Sequence, residues 1–309
     1  MKWWKKIALS GAGLFFLVLG EGTRECRGFR MTHYHPERSN QHPNGPTNEN
    51  RIVFLSDLHN RVYGSQNDIL LEKIRKARPG LILIGGDMLI GKKNASPEHA
   101  LDFIRRLPEI APVYYALGNH EQRLKSQVEK YGDVLYYYRK KLTAAGIHFL
   151  ENESADVTLS GRKIRITGLA LPLDTYTHKA SHGFCSRGRG GFRPAWDTRK
   201  ASVTGRDIRK LAGPADKSRY QILLAHNPAY VPAYKEWGAN LVLCGHLHGG
   251  VLRIPGWRGV VTPQATLFPK YSGEMTVEDG TTVVVSKGLG THTVNLRVFN
   301  PAEVVVLHI

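Results

Sequence analysis

Nine polar residues follow directly on short apolar runs, and their types are those that hold metal ions. Asp57 and His59 follow "IVFLS", and Asp87 follows "LILIGG". Asn119, His120 and Glu121 follow "VYYALG", His226 follows "QILLA", and His246 and His248 follow "NLVLC". Carboxylates, imidazoles and an amide oxygen, with no thiolate required, suit Mn, Fe, Zn or Co rather than a soft-metal site. Asp57, His59, Asp87, Asn119, His226, His246 and His248 are too many donors for one tetrahedral zinc. They suit two divalent ions with one carboxylate between them. Each residue alone has a plain structural reading: an Asp after a strand caps a turn, a lone His packs, and Gly-Asn turns the chain. Five such groups, each at the end of an apolar run, are not explained by turns alone.

Local spacing supports the grouping. Residues two apart in an extended chain point to the same side, so Asp57 and His59 are expected to share a face, as are His246 and His248. Gly85, Gly86, Gly118, Gly245, Gly249 and Gly250 let the backbone turn tightly and approach a ligand. Glu121 follows His120 and either orients it or is a solvated neighbour. Cys244 either faces the same side as His246 by strand parity or is a small buried residue.

These donors need elements that converge. The five apolar runs are continuous rather than alternating, as in strands covered on both faces. Helical patterns separate the first three. "SQNDILLEKIRKA" puts Ile69, Leu70, Ile74 and Ala77 on one face, and "SPEHALDFIRRLP" opens with Ser96 as N-cap and Pro97 at the first helical position. Strand–helix–strand alternation predicts an α/β fold. In open α/β sheets ligands gather outside the carboxyl ends of the strands, which is where all nine residues stand. The second half is richer in strands, with a hairpin in "VTLSGRKIRITGL" and further strands in "TTVVVS" and "EVVVLHI". No internal repeat is present.

The 309 residues are 41% hydrophobic and 22% charged, ordinary for a globular protein. The net charge of +17 is not ordinary and points to anionic partners. Cys26, Cys185 and Cys244 lie far apart, which excludes a disulfide framework and a CxxC knuckle and leaves open one Cys185–Cys244 bridge. The N-terminal "MKWWKKIALSGAGLFFLVLG" has a basic start and an uncharged apolar run close to the ~17 residues needed to span a bilayer. The domain organisation read from this is a signal-anchor over residues 1–20, a linker over 21–50 rich in Pro, Asn and Gly, and one domain over 51–309. Residues 174–219 are read as a basic, Gly-rich loop or insertion. The expected location is the cell membrane, single-pass, with the catalytic domain outside the cytoplasm. Secretion after signal cleavage is the alternative.

In order, "SDLH", "GGD", "GNHE", "LLAHNP" and "GHLHGG" resemble the five-part motif of the calcineurin-like metallophosphoesterases, and the "SKGLGTH…RVFNPAEVVVL" tail resembles their membrane-anchored bacterial phosphodiesterase subgroup. The resemblance implies a four-layer α/β/β/α sandwich with two packed mixed sheets. It implies one ion on Asp57, His59, Asp87 and His248, and another on Asp87, Asn119, His226 and His246. It gives His120 the catalytic role of stabilising charge or protonating the leaving oxygen, with a metal-bridging hydroxide attacking phosphorus. The implied substrates are phosphorylated small molecules or lipids, including envelope lipids and nucleotide-linked precursors, cleaved at a phosphodiester or pyrophosphate bond. A metal-dependent nuclease and a non-catalytic scaffold of the same fold are the competing functions. Nucleic acid is the weaker partner because no nucleic-acid module or stacking surface accompanies the charge.

Overall fold

The structure, a computed structural model, describes residues 3, 18, 20–36, 51–176, 203–254, 259–261, 267–291 and 295–309. Each of the five apolar runs forms a strand. In one sheet lie β1 (Phe29–Tyr34), β2 (Arg51–Leu55), β3 (Leu81–Ile84), β4 (Val113–Ala116), β5 (Ile147–Leu150) and β14 (Ala302–His308), in the order β1-β14-β2-β3-β4-β5. Strands β2 to β5 run parallel, β14 is antiparallel to β2, and β1 is parallel to β14. The second sheet holds β6 (Glu153–Leu159), β7 (Arg162–Leu169), β8 (Tyr220–Ala225), β9 (Leu241–Cys244), β12 (Met275–Glu278) and β13 (Thr281–Val285), in the order β12-β13-β9-β8-β7-β6. Its four central strands are parallel and its edges antiparallel. A small ribbon pairs β10 (Leu252–Arg253) with β11 (Gly259–Val261).

Strand parity sorts the apolar residues into layers. Ile52 and Phe54 of β2 pack with Ile222, Leu224, Leu241 and Leu243 of the other sheet. Val53 and Leu55 turn the other way, against α1 (Asp68–Ala77), α2 (Glu98–Ile104), α3 (Asn119–Ser126) and α4 (Val134–Ala144). Val242 and Cys244 of β9 pack outward on α5 (Gly205–Ala212) and α6 (Val231–Trp237). The result is an α/β/β/α sandwich of two packed mixed sheets, as expected. Cys244 is a buried thiol on the outer face, away from the inter-sheet core and without a disulfide partner among the described residues; Cys185 lies outside them.

Three expectations change. Residues 21–50 do not form a linker throughout: residues 20–25 are helical, and Phe29–Tyr34 pair along β14 with Phe29 and Met31 against the helix-side core. The Pro, Asn and Gly that suggested a linker fall mostly in 37–50, outside the described residues. Of residues 174–219, read as a loop or insertion, both ends are ordered. Leu173–Tyr176 form a 3-10 turn, and α5 starts at a capping box of Thr204 and Asp207 and buries Ile208. Residues 177–202 lie outside the described residues. In α1 the buried stripe is Leu70, Leu71 and Ile74, whereas Ile69 is 49% exposed.

The segment read as a signal-anchor lies almost wholly outside the described residues, among which no helix is long and apolar enough to cross a membrane. Phe54 is fully buried between the sheets. Phe54→Ala is expected to cost about 3–5 kcal/mol, measured by urea denaturation.

Candidate metal centre

The ends of β2, β3, β4, β8 and β9 meet at one place. The chain does not leave these strands extended. Asp57, His59, Asp87, His246 and His248 have φ of 54°, 48°, 54°, 73° and 53°, the left-handed region that non-glycine residues rarely enter. The expectation that residues two apart share a face because the chain is extended is therefore replaced. Left-handed residues bring His59 Nε2 to 3.9 Å from Asp57 Oδ1 but send His246 and His248 to different donor groups, and such conformations persist where surrounding contacts enforce them. The turns after β2 and β3 are joined, with Asp57 N–H donating to Gly86 O at 3.0 Å and His59 N–H to Asp87 O at 3.1 Å. Glycine matters most where loops touch carboxylates. A Cβ on Gly118 would lie 2.2 Å from Asp87 Oδ1, and one on Gly245 would lie 2.2 Å from Asp57 Oδ2. Those two glycines admit the protein's own acids.

Side-chain orientation is set by the main chain. The Nδ1 atoms of His59, His226 and His248 face the carbonyls of Leu89 (3.3 Å), Gly85 (2.7 Å) and Gly290 (2.9 Å). Each Nε2 is thereby turned inward, the usual way a ligating imidazole is fixed. Three groups of donors result, each with ligand atoms within 4.8 Å of one another: Asp57, His59 and His248; His59, Asp87 and His120; and Asp87, His226 and His246. His226 Nε2 lies 3.0 Å from Asp87 Oδ2 and 3.8 Å from Asp57 Oδ1 without an aligned hydrogen bond. Asn119 opens α3 with its Oδ1 buried and without a hydrogen-bond partner among the described residues.

The arrangement of these residues fits divalent ions. His59 Nε2 and His248 Nε2 stand 3.2 Å apart, and each ring presents its Nδ1 to a carbonyl. Neutral rings held that way would oppose two lone pairs, which a cation between or beside them relieves. The acidic partners are fixed as well: Asp57 accepts from His246 N–H at 3.1 Å, and Asp87 Oδ1 accepts from His120 N–H at 2.8 Å.

His120 and Glu121 have separate duties. Gly91 N–H donates to His120 Nδ1 at 2.7 Å, so a neutral ring carries its proton on Nε2, which lies 3.9 Å from Asp87 Oδ2. Glu121 does not orient His120. It accepts from the N–H groups of Asp87 (2.8 Å), Leu89 (3.0 Å) and Gly118 (3.0 Å) and from the Tyr115 hydroxyl (2.9 Å), and so pins the β3 and β4 turns together. Sequence spacing could not separate these roles, because the partners of both residues are mainly backbone N–H groups. Tyr176 was also missed. Its ring meets His246 edge-on at 5.2 Å, and its buried hydroxyl has no hydrogen-bond partner among the described residues.

Burial opposes charge on His226, but the carboxylates of Asp87 and Asp57 outweigh it and push the imidazole up to about 10. Burial likewise opposes charge on Asp87, and His226, His120 and His59 outweigh it and hold Asp87 well below the usual carboxylate range. Burial, reinforced by Asp87 and opposed by His226, raises Asp57 to about 6. The sign for His226 is that of a raised base. Its stabilising charge is fully present below the ordinary value of 6.5 and is lost as pH rises through about 10. An incoming ion must displace that proton. Apparent metal affinity is therefore expected to rise by about tenfold per pH unit across neutral pH, with proton release seen by calorimetry in two buffers of different ionisation enthalpy.

Residues 50–250 match the calcineurin-like phosphoesterase family. A metallophosphoesterase of Aquifex aeolicus, described as uncharacterised, is 35% identical over 268 residues, covering 84% of this chain and 85% of its own length. A similarly described metallophosphoesterase of Campylobacter jejuni is 26% identical over 264 residues, covering 84% of this chain and 59% of the relative. Phosphodiesterase YaeI of Escherichia coli is 25% identical over 209 residues, covering 66% of this chain and 63% of the relative. The chain thus spans under two thirds of the length of the last two. With the match covering every strand end that carries a donor, the chain belongs to the calcineurin-like phosphoesterase family, hydrolases acting on phosphoester bonds.

Proposed function

We propose that this protein hydrolyses phosphodiester or pyrophosphate bonds at a centre of two divalent ions. The observation that carries the reading is the position of Asp87, which belongs both to the donor group with His59 and His120 and to the group with His226 and His246, while His59 also belongs to the group with Asp57 and His248. One carboxylate shared between two donor sets suits two ions a few ångströms apart. Asp57, His59, Asp87 and His248 would hold one, and Asp87, Asn119, His226 and His246 the other. Ions so held supply Lewis acidity towards a phosphoryl oxygen and acidify a coordinated water.

The remaining work falls to the chain. Asp57 and Asp87 are buried, and in that low-dielectric setting their charges act strongly on whatever cations they hold. Glu121 keeps the turn bearing Asp87 in place through its backbone N–H groups. With Nδ1 engaged by Gly91, His120 presents an Nε2–H that can donate to a phosphoryl or leaving oxygen. The diester class is supported by the phosphodiesterase among its relatives. A membrane-surface substrate is supported by the basic, apolar N-terminal segment and the net charge of +17, which would favour an anionic lipid or lipid-linked phosphate. In this reading residues 1–20 anchor the protein with its catalytic domain outside the cytoplasm.

His120→Ala is expected to retain its metal while turnover of a chromogenic phosphodiester falls by about 100-fold or more. Full turnover in that metal-replete variant would sink the role given to His120. Asp87→Asn is expected to weaken both ions, by more than the ~10–100-fold typical of a lost supporting residue. Elemental analysis showing one ion retained at full occupancy would contradict the sharing. Metal-replete protein assayed against phosphomonoesters, diesters, nucleotide-linked lipids and DNA is expected to cleave diesters or pyrophosphates. Preferential DNA cleavage would instead support a nuclease, and recovery solely in the soluble fraction of cells would refute the anchor.

A further inference from the structure

We propose that Asn300 and Arg297 are positioning residues for His248, and that through them helical residues 20–25 govern how tightly one of the two ions is held. Asn300 lies just before β14, far in sequence from every strand-end motif. Its Nδ2 donates to His248 O at 2.7 Å and to Gly250 O at 2.5 Å, so one side chain clamps both ends of the turn that carries the imidazole. Gly249, at φ 71° between them, packs so closely that a Cβ would lie 2.3 Å from Asn300 Oδ1. Arg297 is buried, and its guanidinium donates to the carbonyls of Lys287 (2.9 Å), Gly288 (3.2 Å), Gly290 (2.7 Å) and Asn300 (3.3 Å). Gly290 O is the same acceptor that takes His248 Nδ1–H. Asn300 therefore holds the main chain of His248, and Arg297 holds the carbonyl that sets its tautomer and tilt.

The bracket is closed by the start of the chain. Glu25 Oε2 accepts the Asn300 backbone N–H at 2.6 Å, and Gly22 O accepts the Arg297 backbone N–H at 3.3 Å. His226 depends on a different support, Gly85 O just after β3 of the first sheet. Loosening the bracket should therefore act unevenly, weakening the group of Asp57, His59 and His248 while sparing that of Asp87, His226 and His246. This unevenness rests on the two-ion reading.

The test is Mn²⁺ titration of the full chain by calorimetry. Asn300→Leu keeps the branched shape and removes both N–H donors, and Glu25→Ala removes the carboxylate that holds Asn300. In Asn300→Leu one Mn²⁺ event is expected to weaken by about 10–100-fold, the scale for groups that orient a metal ligand, while the other is unchanged. Glu25→Ala is expected to shift the same event in the same direction by less. Ile208→Ala, a core variant on the outer face of the second sheet, is expected to lower the melting temperature without separating the two events. Equal weakening of both events in Asn300→Leu, or no weakening, overturns the proposal. Uptake of a single Mn²⁺ by the unaltered chain would overturn the two-ion reading instead. The bracket would then be judged on that one event, standing if Asn300→Leu weakens it and falling if it does not.

Discussion

Two buried carboxylates, Asp57 and Asp87, stand on adjacent turns locked together by backbone hydrogen bonds. Like charges withdrawn from water repel strongly and demand cations. That demand accounts for much of what surrounds them. His226 comes from the second sheet to within 3.0 Å of Asp87, and the backbone N–H groups of His120 and His246 are directed at the two acids. The glycine contacts, the left-handed turns and the carbonyls behind the imidazoles all keep this negative centre closed and its donors aimed inward. A site assembled in this way is costly without its ions and gains most from them, as expected of a centre whose binding energy also helps to hold the fold.

The donors divide between the layers. Asp57, His59, Asp87 and Asn119 follow strands of the first sheet, whereas His226, His246 and His248 follow strands of the second. Apolar packing between the sheets is non-directional, but the ligand set is not. The sandwich must align two sheets well enough for ligand atoms from both to fall within one small sphere. Contacts such as His226 on Gly85 O, which cross from one sheet to the other, serve that alignment.

The layers and the gathering of these polar residues at strand ends were legible in the sequence because continuous apolar runs and the residues that end them are both written in side chains. What was not legible depended on the main chain. The pairing of Asp57 with His59 follows from two left-handed turns, which no side chain announces. Glu121 is bound to N–H groups that every non-proline residue carries. Strand β1 was hidden because its partner is β14, about 270 residues away, and pairing register over that span has no local signature. Helix α5 was obscured by the basic, Gly-rich stretch before it, although its capping residues and buried Ile208 carry the local signal.

The left-handed turns have a consequence for how this family member can vary. If Asp57, Asp87, His246 and His248 hold metal as proposed, two filters act on any replacement there: the new side chain must coordinate, and its backbone must accept a conformation that β-branched residues resist most. Aspartate, asparagine and histidine are among the few residues enriched there. The metal chemistry and the turn therefore select the same narrow alphabet, and an alanine at these positions changes ligand and backbone at once. Amide replacements of the acids come nearest to altering charge alone.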